Sequence, residues 1–229
     1  MSTASSQAKS ASTFVAIRPG RKVGQVQFLV FLYAKIKAAG RFVSWKFPTE
    51  TSEPGESPWD AVINGVWHEL LEAPNLEGFN ITGHPDDCVE GEQPKPLFTV
   101  RVVGDADKGG GWHDKPVFRI IITEGGERRF RTVIKKDGED EELGPPEYVE
   151  ARELLGRMKE RGVEFHIVAL LQVLSSLAVD PKVYGEYRDI LENPEYRQYL
   201  VSEAELSRYF QEKQAARDKK RTDRLNRPQ

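Results

Sequence analysis

The stretch KFPTETSEPGESPWDAVINGVWHELLE, residues 46–72, decides how the chain is read. Pro48 stops an extended run, Pro54 and Gly55 set a polar turn, and Ser57 and Pro58 then open a helix. Ser57 suits the N-cap, Pro58 takes the first helical position where its missing N–H costs nothing, and Asp60 puts negative charge in the first turn. Trp59, Val62, Ile63, Val66 and Leu70 recur at helical spacing, so the helix is expected to lay one apolar stripe on a sheet. At about 100° per residue, Gly65, His68, Glu69 and Glu72 share an adjoining sector. That sector sets an imidazole and two carboxylates beside a position with no side chain.

The chain has 229 residues, enough for one domain with appendages and a real core. Its 33 basic and 36 acidic residues leave a net charge of −3, so no global field draws it to nucleic acid or an anionic membrane. Any such binding must be local. The single cysteine, Cys88, excludes an internal disulfide framework and a cysteine-based zinc cluster, and fits a reducing compartment. Residues 1–12 are polar and small, without the apolar core of a secretory signal, and are expected to be disordered. The most apolar windows, VQFLVFLYAKI and FHIVALLQVLSSLAV, are too short or interrupted to cross a bilayer of about 30 Å. A soluble intracellular protein, in the cytoplasm or an organelle interior, is expected.

Residues 13–17 and 26–33 read as strands separated by RPGRKVG, and GRFVSWKFP as a third. After Pro74 come LEGFNIT, LFTVRVVGD, VFRIIIT and RRFRTVIKK, the last two read as a hairpin closed by EGGE. DADKGGGWHDKP reads as a loop. A helix is expected from about residue 148 to 161, and EFHIVALLQVLSSLAV as a second, largely buried one.

This order of elements, with its Glu-Pro-Gly-Glu-Ser-Pro turn, resembles the Nudix hydrolase superfamily over residues 13–179. The family signature is G-x5-E-x7-R-E-U-x-E-E-x-G-U, U being a bulky aliphatic, and its carboxylates present Mg²⁺ to a diphosphate. The resemblance implies an α+β fold, a Nudix-like α/β/α sandwich around a mixed sheet, with a helical extension and basic tail over residues 180–229. EPGES matches the loop, with Glu56 as the first signature Glu. Seven residues on, Asn64 and Gly65 stand where the family has Arg-Glu; Val66 keeps the aliphatic, and His68 and Glu69 fall on the Glu pair. Leu71 and Glu72 replace the closing Gly and aliphatic, and Glu50 stands at the opening Gly.

So degenerate a signature implies a non-hydrolytic, pseudoenzyme form of the scaffold, with no cofactor expected, that binds a nucleotide, RNA or protein partner within an assembly. The alternative is a pyrophosphatase of nucleoside diphosphate derivatives with a rearranged site. Its catalytic residues would be Glu69, Glu72 and His68, and Glu69, Glu56 and Glu50 would hold Mg²⁺ or Mn²⁺.

TGHPDDC, residues 82–88, resembles the His-Pro-Asp-Asp zinc motif of deacetylases acting on N-acetylglucosamine derivatives, but lacks that family's setting; a turn explains it more simply. His166, within EFHIVALL, reads as a core or flank histidine. Arg129, Arg131 and Lys135 alternate along one strand, and Arg119 can join them from its neighbour, giving either a phosphate- or RNA-binding face or a solvated one. Between 213 and 227, seven basic residues stand against two acidic ones. The helices after Asp180 carry Tyr184, Tyr187, Ile190, Tyr196, Tyr199, Leu206, Tyr209 and Phe210 beyond what a finished core needs. They are therefore expected to mediate homo-oligomerisation or docking to a partner.

Overall fold

The computed structural model describes residues 11–37, 40–53, 55–71, 81–103, 112–122, 130–132, 134–136, 141–161 and 163–225. Strand β1 (Ala11–Pro19) lies at its centre. Phe14 and Ala16 point to one face and Val15 and Ile17 to the other, and none is more than 8% exposed. Beside it runs β7 (Trp112–Ile122), parallel, with Thr13 opposite Val117 and Ala16 opposite Ile120. Parallel neighbours covered on both faces favour apolar runs; β1 supplies one from Phe14 to Ile17, and that of β7 is interrupted by buried Arg119. On its other side β1 meets β2 (Val26–Lys37), antiparallel through Ile17 and Phe28.

The length of β2 lets it carry β3 (Gly40–Lys46), β9 (Glu141–Leu143) and β10 (Glu147–Glu150) as well. Short strands β4 (Thr49–Thr51) and β5 (Ile81–Gly83) pair β1 and β7, β6 (Phe98–Val103) lines β7, and β8 (Lys135–Lys136) pairs β9. Helix α1 (Pro58–Leu70) covers one face, setting Val62, Val66 and Leu70 on Phe14, Leu29, Phe118 and Ile120. Helices α2 (Ala151–Arg161) and α3 (Glu164–Leu177) cover the other, over Val15, Phe28, Val30 and Val117. The result is the expected α/β/α sandwich around a mixed sheet, with helices appended at the C-terminal end.

Local pairing moves several expected boundaries. Ala11 and Ser12, expected to be disordered, open β1; Ser12 is fully buried and its hydroxyl donates to the Pro58 carbonyl at 2.8 Å. Residues 112–116, expected in a loop, belong to β7 because β6 pairs them out to Val103 opposite Trp112. The helix expected from residue 148 begins at Ala151, since Tyr148 is committed to β10 opposite Leu29, and the Glu150 carboxylate accepts the Arg152 N–H at 2.9 Å. The expected hairpin partner of β7 goes elsewhere: Phe130 bridges Leu71, and Lys135 pairs Leu143 of β9. Its turn, with Arg129, lies outside the described residues.

The helices after Asp180, expected to mediate self-association or docking to a partner, pack against the domain's own core. Helix α4 (Pro181–Leu191), a 3₁₀ helix (Pro194–Tyr199) and helix α5 (Glu203–Leu225) return to the sheet. Tyr187 and Leu206 are fully buried, Tyr196 and Ile190 nearly so, in the same core as Val26, Val100 and Leu170. The Tyr187 hydroxyl accepts the Val26 N–H at 2.9 Å and donates to Glu150. Among the described strands β6 pairs β7 alone, and α5 shields its open edge: the Thr99 N–H goes to Glu203 and the Arg101 N–H to Ser207, both at 3.1 Å. Tyr187, Ile190, Tyr196 and Leu206, assigned to an interface, are thus spent inside the domain, while Tyr184 stays exposed.

One carboxylate fastens this arrangement. Glu164, at the start of α3, accepts from the Tyr199 hydroxyl at 2.8 Å, from the Tyr209 hydroxyl and from the Lys213 ammonium. Burial alone would raise its pKa; Lys213, Tyr209 and Tyr199 together outweigh burial and hold it below the usual carboxylate value. No helix among the described residues is long and apolar enough to cross a membrane.

Removing residues 180–229 is expected to abolish cooperative melting, because it uncovers the face under Tyr187, Tyr196 and Leu206; circular dichroism of the truncated chain checks this, and a cooperative, near-native melt would contradict it. Glu164→Gln should cost about 1–2 kcal/mol in urea unfolding at neutral pH. Since the folded carboxyl titrates below the unfolded one, its contribution is complete above the unfolded value and is lost as pH falls through the folded one. The gap between parent and variant should therefore narrow below about pH 4.

Candidate functional site

The turn before α1 is built from hydrogen bonds internal to the stretch. Ser57 caps the helix, its hydroxyl accepting the Asp60 N–H at 3.1 Å while Asp60 accepts the Ser57 N–H at 3.2 Å. Gly55, at φ +88°, takes the left-handed conformation that the tight turn requires. Glu56 is doubly held: one carboxylate oxygen accepts the Glu53 N–H at 2.7 Å and the other accepts from the Asn64 amide. Asn64 thereby occupies the carboxylate expected to serve a metal.

Gly65 is buried where α1 crosses β1 and β4. A Cβ placed on it would stand 2.8 Å from the Glu50 Cβ and 2.8 Å from a ring carbon of Phe14, closer than carbon atoms approach. Glu50, at the position of the signature's opening glycine, therefore fills the space that a side chain at residue 65 would need. The two departures from the signature are one exchange of volume between β4 and α1. A carboxylate cannot be returned to position 65 without moving Glu50 and Phe14.

Glu50 directs its own carboxylate along the helix, 3.1 Å from Nδ1 of exposed His68, and holds the Thr51 N–H at 3.1 Å. Glu69 is 6% exposed, and its carboxylate accepts the Thr49 N–H at 3.1 Å, binding the end of α1 to β4. Glu72 lies outside the described residues. The structure thus brings together Glu50 and His68 on the edge of α1, while Glu69 is held by β4 and Glu56 is tied back at the turn. Among the described residues no group of three or more His, Cys, Asp or Glu side chains is placed to hold a metal ion. Mg²⁺ needs several convergent oxygen donors, and the described carboxylates of this stretch do not converge, so the donor set does not fit.

The expected basic sheet face does not form from Arg119 and Arg131. Arg119, 4% exposed, turns toward α3 and grips Asp87 through two nitrogens at 2.8 and 2.6 Å, with a third on Ser176 at 3.1 Å. Arg131, 3% exposed, donates to the Glu69 carbonyl at 2.6 Å and the Leu143 carbonyl at 2.7 Å, pinning the end of α1 to β9. The Lys135 side chain, like Arg129, lies outside the described residues. Arg119 therefore joins two motifs that the sequence presents separately, because Asp87 belongs to His-Pro-Asp-Asp. That motif is a 3₁₀ turn (Pro85–Asp87) in which His84 Nδ1 accepts the Asp86 N–H at 3.3 Å, and its buried partner is a guanidinium rather than a cation site. His166 is a core histidine: Nδ1 accepts the Phe47 N–H at 3.4 Å, and burial, then Lys46 and Lys115, keeps the ring neutral.

Sequence reasoning placed Glu50 and Gly65 separately on the signature but missed their exchange. The available signal was that the position ordinarily without a side chain gained one where the position ordinarily with one lost it.

No family model matches the chain, and no curated protein matches it. Similar solved structures include an Ap4A hydrolase from C. elegans in a binary complex, at 16% identity, covering 74% of this chain and 98% of that one with a TM-score of 0.43. A NUDIX hydrolase from Nitrosomonas europaea, at 13% identity, covers 74% and 90% with a TM-score of 0.43. The dihydroneopterin triphosphate pyrophosphohydrolase of E. coli, at 13% identity, covers 71% and 92% with a TM-score of 0.40. Likeness of this degree carries no argument about activity.

Gly65→Ala is expected to cost about 1–3 kcal/mol in urea unfolding, from overpacking against Glu50 and Phe14. Adding Glu50→Gly should recover part of that loss, leaving the Phe14 contact. Strict additivity of the two changes would show that the side chains do not share the space.

Proposed function

We propose that this chain is a non-hydrolytic protein on a Nudix-like scaffold, acting by binding a nucleotide or a protein partner rather than by cutting a phosphoanhydride. One observation carries the reading: the Glu50 side chain occupies the volume over Gly65, so the helix has exchanged a catalytic-type carboxylate for packing. The hold of Asn64 on Glu56 and of the Thr49 N–H on Glu69 supports the same reading, since these carboxylates now fasten the turn and β4 to α1. An RNA-binding sheet face loses its support where Arg119 and Arg131 are buried as structural ties.

A second reading rests on a specific contact, the 3.1 Å approach of Glu50 to His68 on the exposed edge of α1. That pair offers one nitrogen and one oxygen donor of the kinds Mn²⁺ accepts, and the protein would then be a pyrophosphatase of nucleoside diphosphate derivatives.

Turnover separates the two. The full chain, incubated with ADP-ribose, a dinucleoside polyphosphate or a nucleoside triphosphate and either Mg²⁺ or Mn²⁺, is expected to release no nucleoside monophosphate above the protein-free rate. Release that depends on Mn²⁺ and disappears in Glu69→Gln would overturn the non-hydrolytic reading.

A further inference from the structure

One cavity lies away from the signature turn. Ser12 fixes that turn at the beginning of β1, whereas the cavity opens at the other end of the strand, around Ile17 and Arg18. Six residues of extended chain separate Ser12 from Arg18, about 20 Å at roughly 3.3 Å per residue. The cavity measures about 690 Å³. Spaces of about 300–1,000 Å³ enclose small molecules, and in sheets with parallel strands ligands gather at the carboxyl ends, here those of β1 and β7.

Its walls come from both layers of the fold. Ile17, Val26, Ile121 and Leu177 line it from the central strands and α3, and Val183 from α4. The α4 wall is held firmly. Gly24, at φ +82° in the turn after β1, comes so close to α4 that a Cβ there would lie 2.3 Å from the Lys182 carbonyl oxygen. One helical turn further, Tyr187 bonds the Val26 backbone. The appended helices therefore supply one wall of the cavity.

Four polar residues reach the lining; Gln25 is engaged with the Lys22 N–H and Glu186, and Arg18, Asp180 and His84 decide what fits. Arg18 lays its guanidinium over the Tyr148 ring, 3.9 Å from the centroid, and donates to Gln27 at 2.8 Å. Asp180 accepts the Lys182 N–H at 2.8 Å as the cap of α4. Both charges are thus engaged by protein partners, so neither is set out to select an ionic ligand. His84 is kept neutral, burial first and the nearby Arg119 guanidinium second pushing its pKa down against Asp86 and Asp87. With Nδ1 accepting the Asp86 N–H, the neutral ring keeps its proton on Nε2, which leaves an N–H to offer a ligand.

We propose that this cavity binds a neutral, largely apolar small molecule bearing one carbonyl-type acceptor, enclosed by aliphatic walls and oriented by His84. The site does not depend on whether the α1 edge hydrolyses anything, and it gives the C-terminal helices a role in the monomer.

The test uses the full chain and prodan, an uncharged naphthyl ketone whose emission shifts to the blue in apolar surroundings. Saturable, blue-shifted binding is expected. Val183→Trp, which fills the chamber from α4, should remove it. His84→Asn keeps an acceptor for the Asp86 N–H but withdraws the Nε2 donor, and should weaken binding on the order of tenfold. Melting curves confirm that each variant is folded, and if Val183→Trp is not, Ile121→Phe on the opposite wall takes its place. Absence of saturable binding, or binding unchanged in a folded filled variant and in His84→Asn, overturns the proposal. Displacement of prodan by an equal concentration of the anion 1-anilinonaphthalene-8-sulfonate overturns the assignment to a neutral ligand. Monophosphate release in the turnover assay bears only on the α1 edge, so the failure of one reading is distinguishable from the failure of the other.

Discussion

Everything in this fold is arranged around a strand that has no solvent face. β1 buries Phe14 and Ala16 under α1 and Val15 and Ile17 under the helices opposite, and it is paired along both edges. Burying each such side chain contributes on the order of 1.5–3 kcal/mol, and a strand with both faces and both edges occupied fixes the position of every layer around it. The two regions of functional interest follow from its two ends. At the start, Ser12 holds the first turn of α1; at the finish, Arg18 and Ile17 open onto the cavity.

The carboxylates of the signature stretch show how the same residue types can serve chemistry or architecture. A carboxylate is useful to a divalent cation when it converges with others on one point. Here Glu56 is satisfied by Asn64 and the Glu53 backbone, and Glu69 takes the Thr49 N–H while its own carbonyl receives Arg131. These bonds connect the turn, β4, α1 and β9, and Gly65 lets Glu50 lie flat against the helix. The arrangement is coherent as a structural joint.

The C-terminal helices illustrate a different economy. Their aromatic groups, too many for a finished core, suggested an interface, yet the core was not finished without them. Tyr187 combines burial of its ring with hydrogen bonds at Val26 and Glu150, and Glu164 gathers Tyr199, Tyr209 and Lys213 around one carboxylate. Tyrosine suits an internal joint for the reason it suits an interface: its ring can be buried while its hydroxyl finds a partner.

The sequence by itself determined what local chemistry dictates. Ser57, Pro58 and Asp60 announced the start of α1, the spacing of Val62, Val66 and Leu70 its buried stripe, and the β-branched runs most of the strands. The layered α+β arrangement was legible through the family resemblance of the element order and the Glu-Pro-Gly-Glu-Ser turn. Tertiary structure alone decided what depends on partners distant in the chain. Arg119 read as a solvent-facing base because alternation along a strand cannot say whether a carboxylate 32 residues away will meet it, and Asp87 does. Gly65 read as a lost catalytic position because a missing side chain gives no hint of what fills its space, and Glu50 does. The tyrosines after residue 180 read as surface because the number of places left in a core is a property of the folded volume, which no local pattern records.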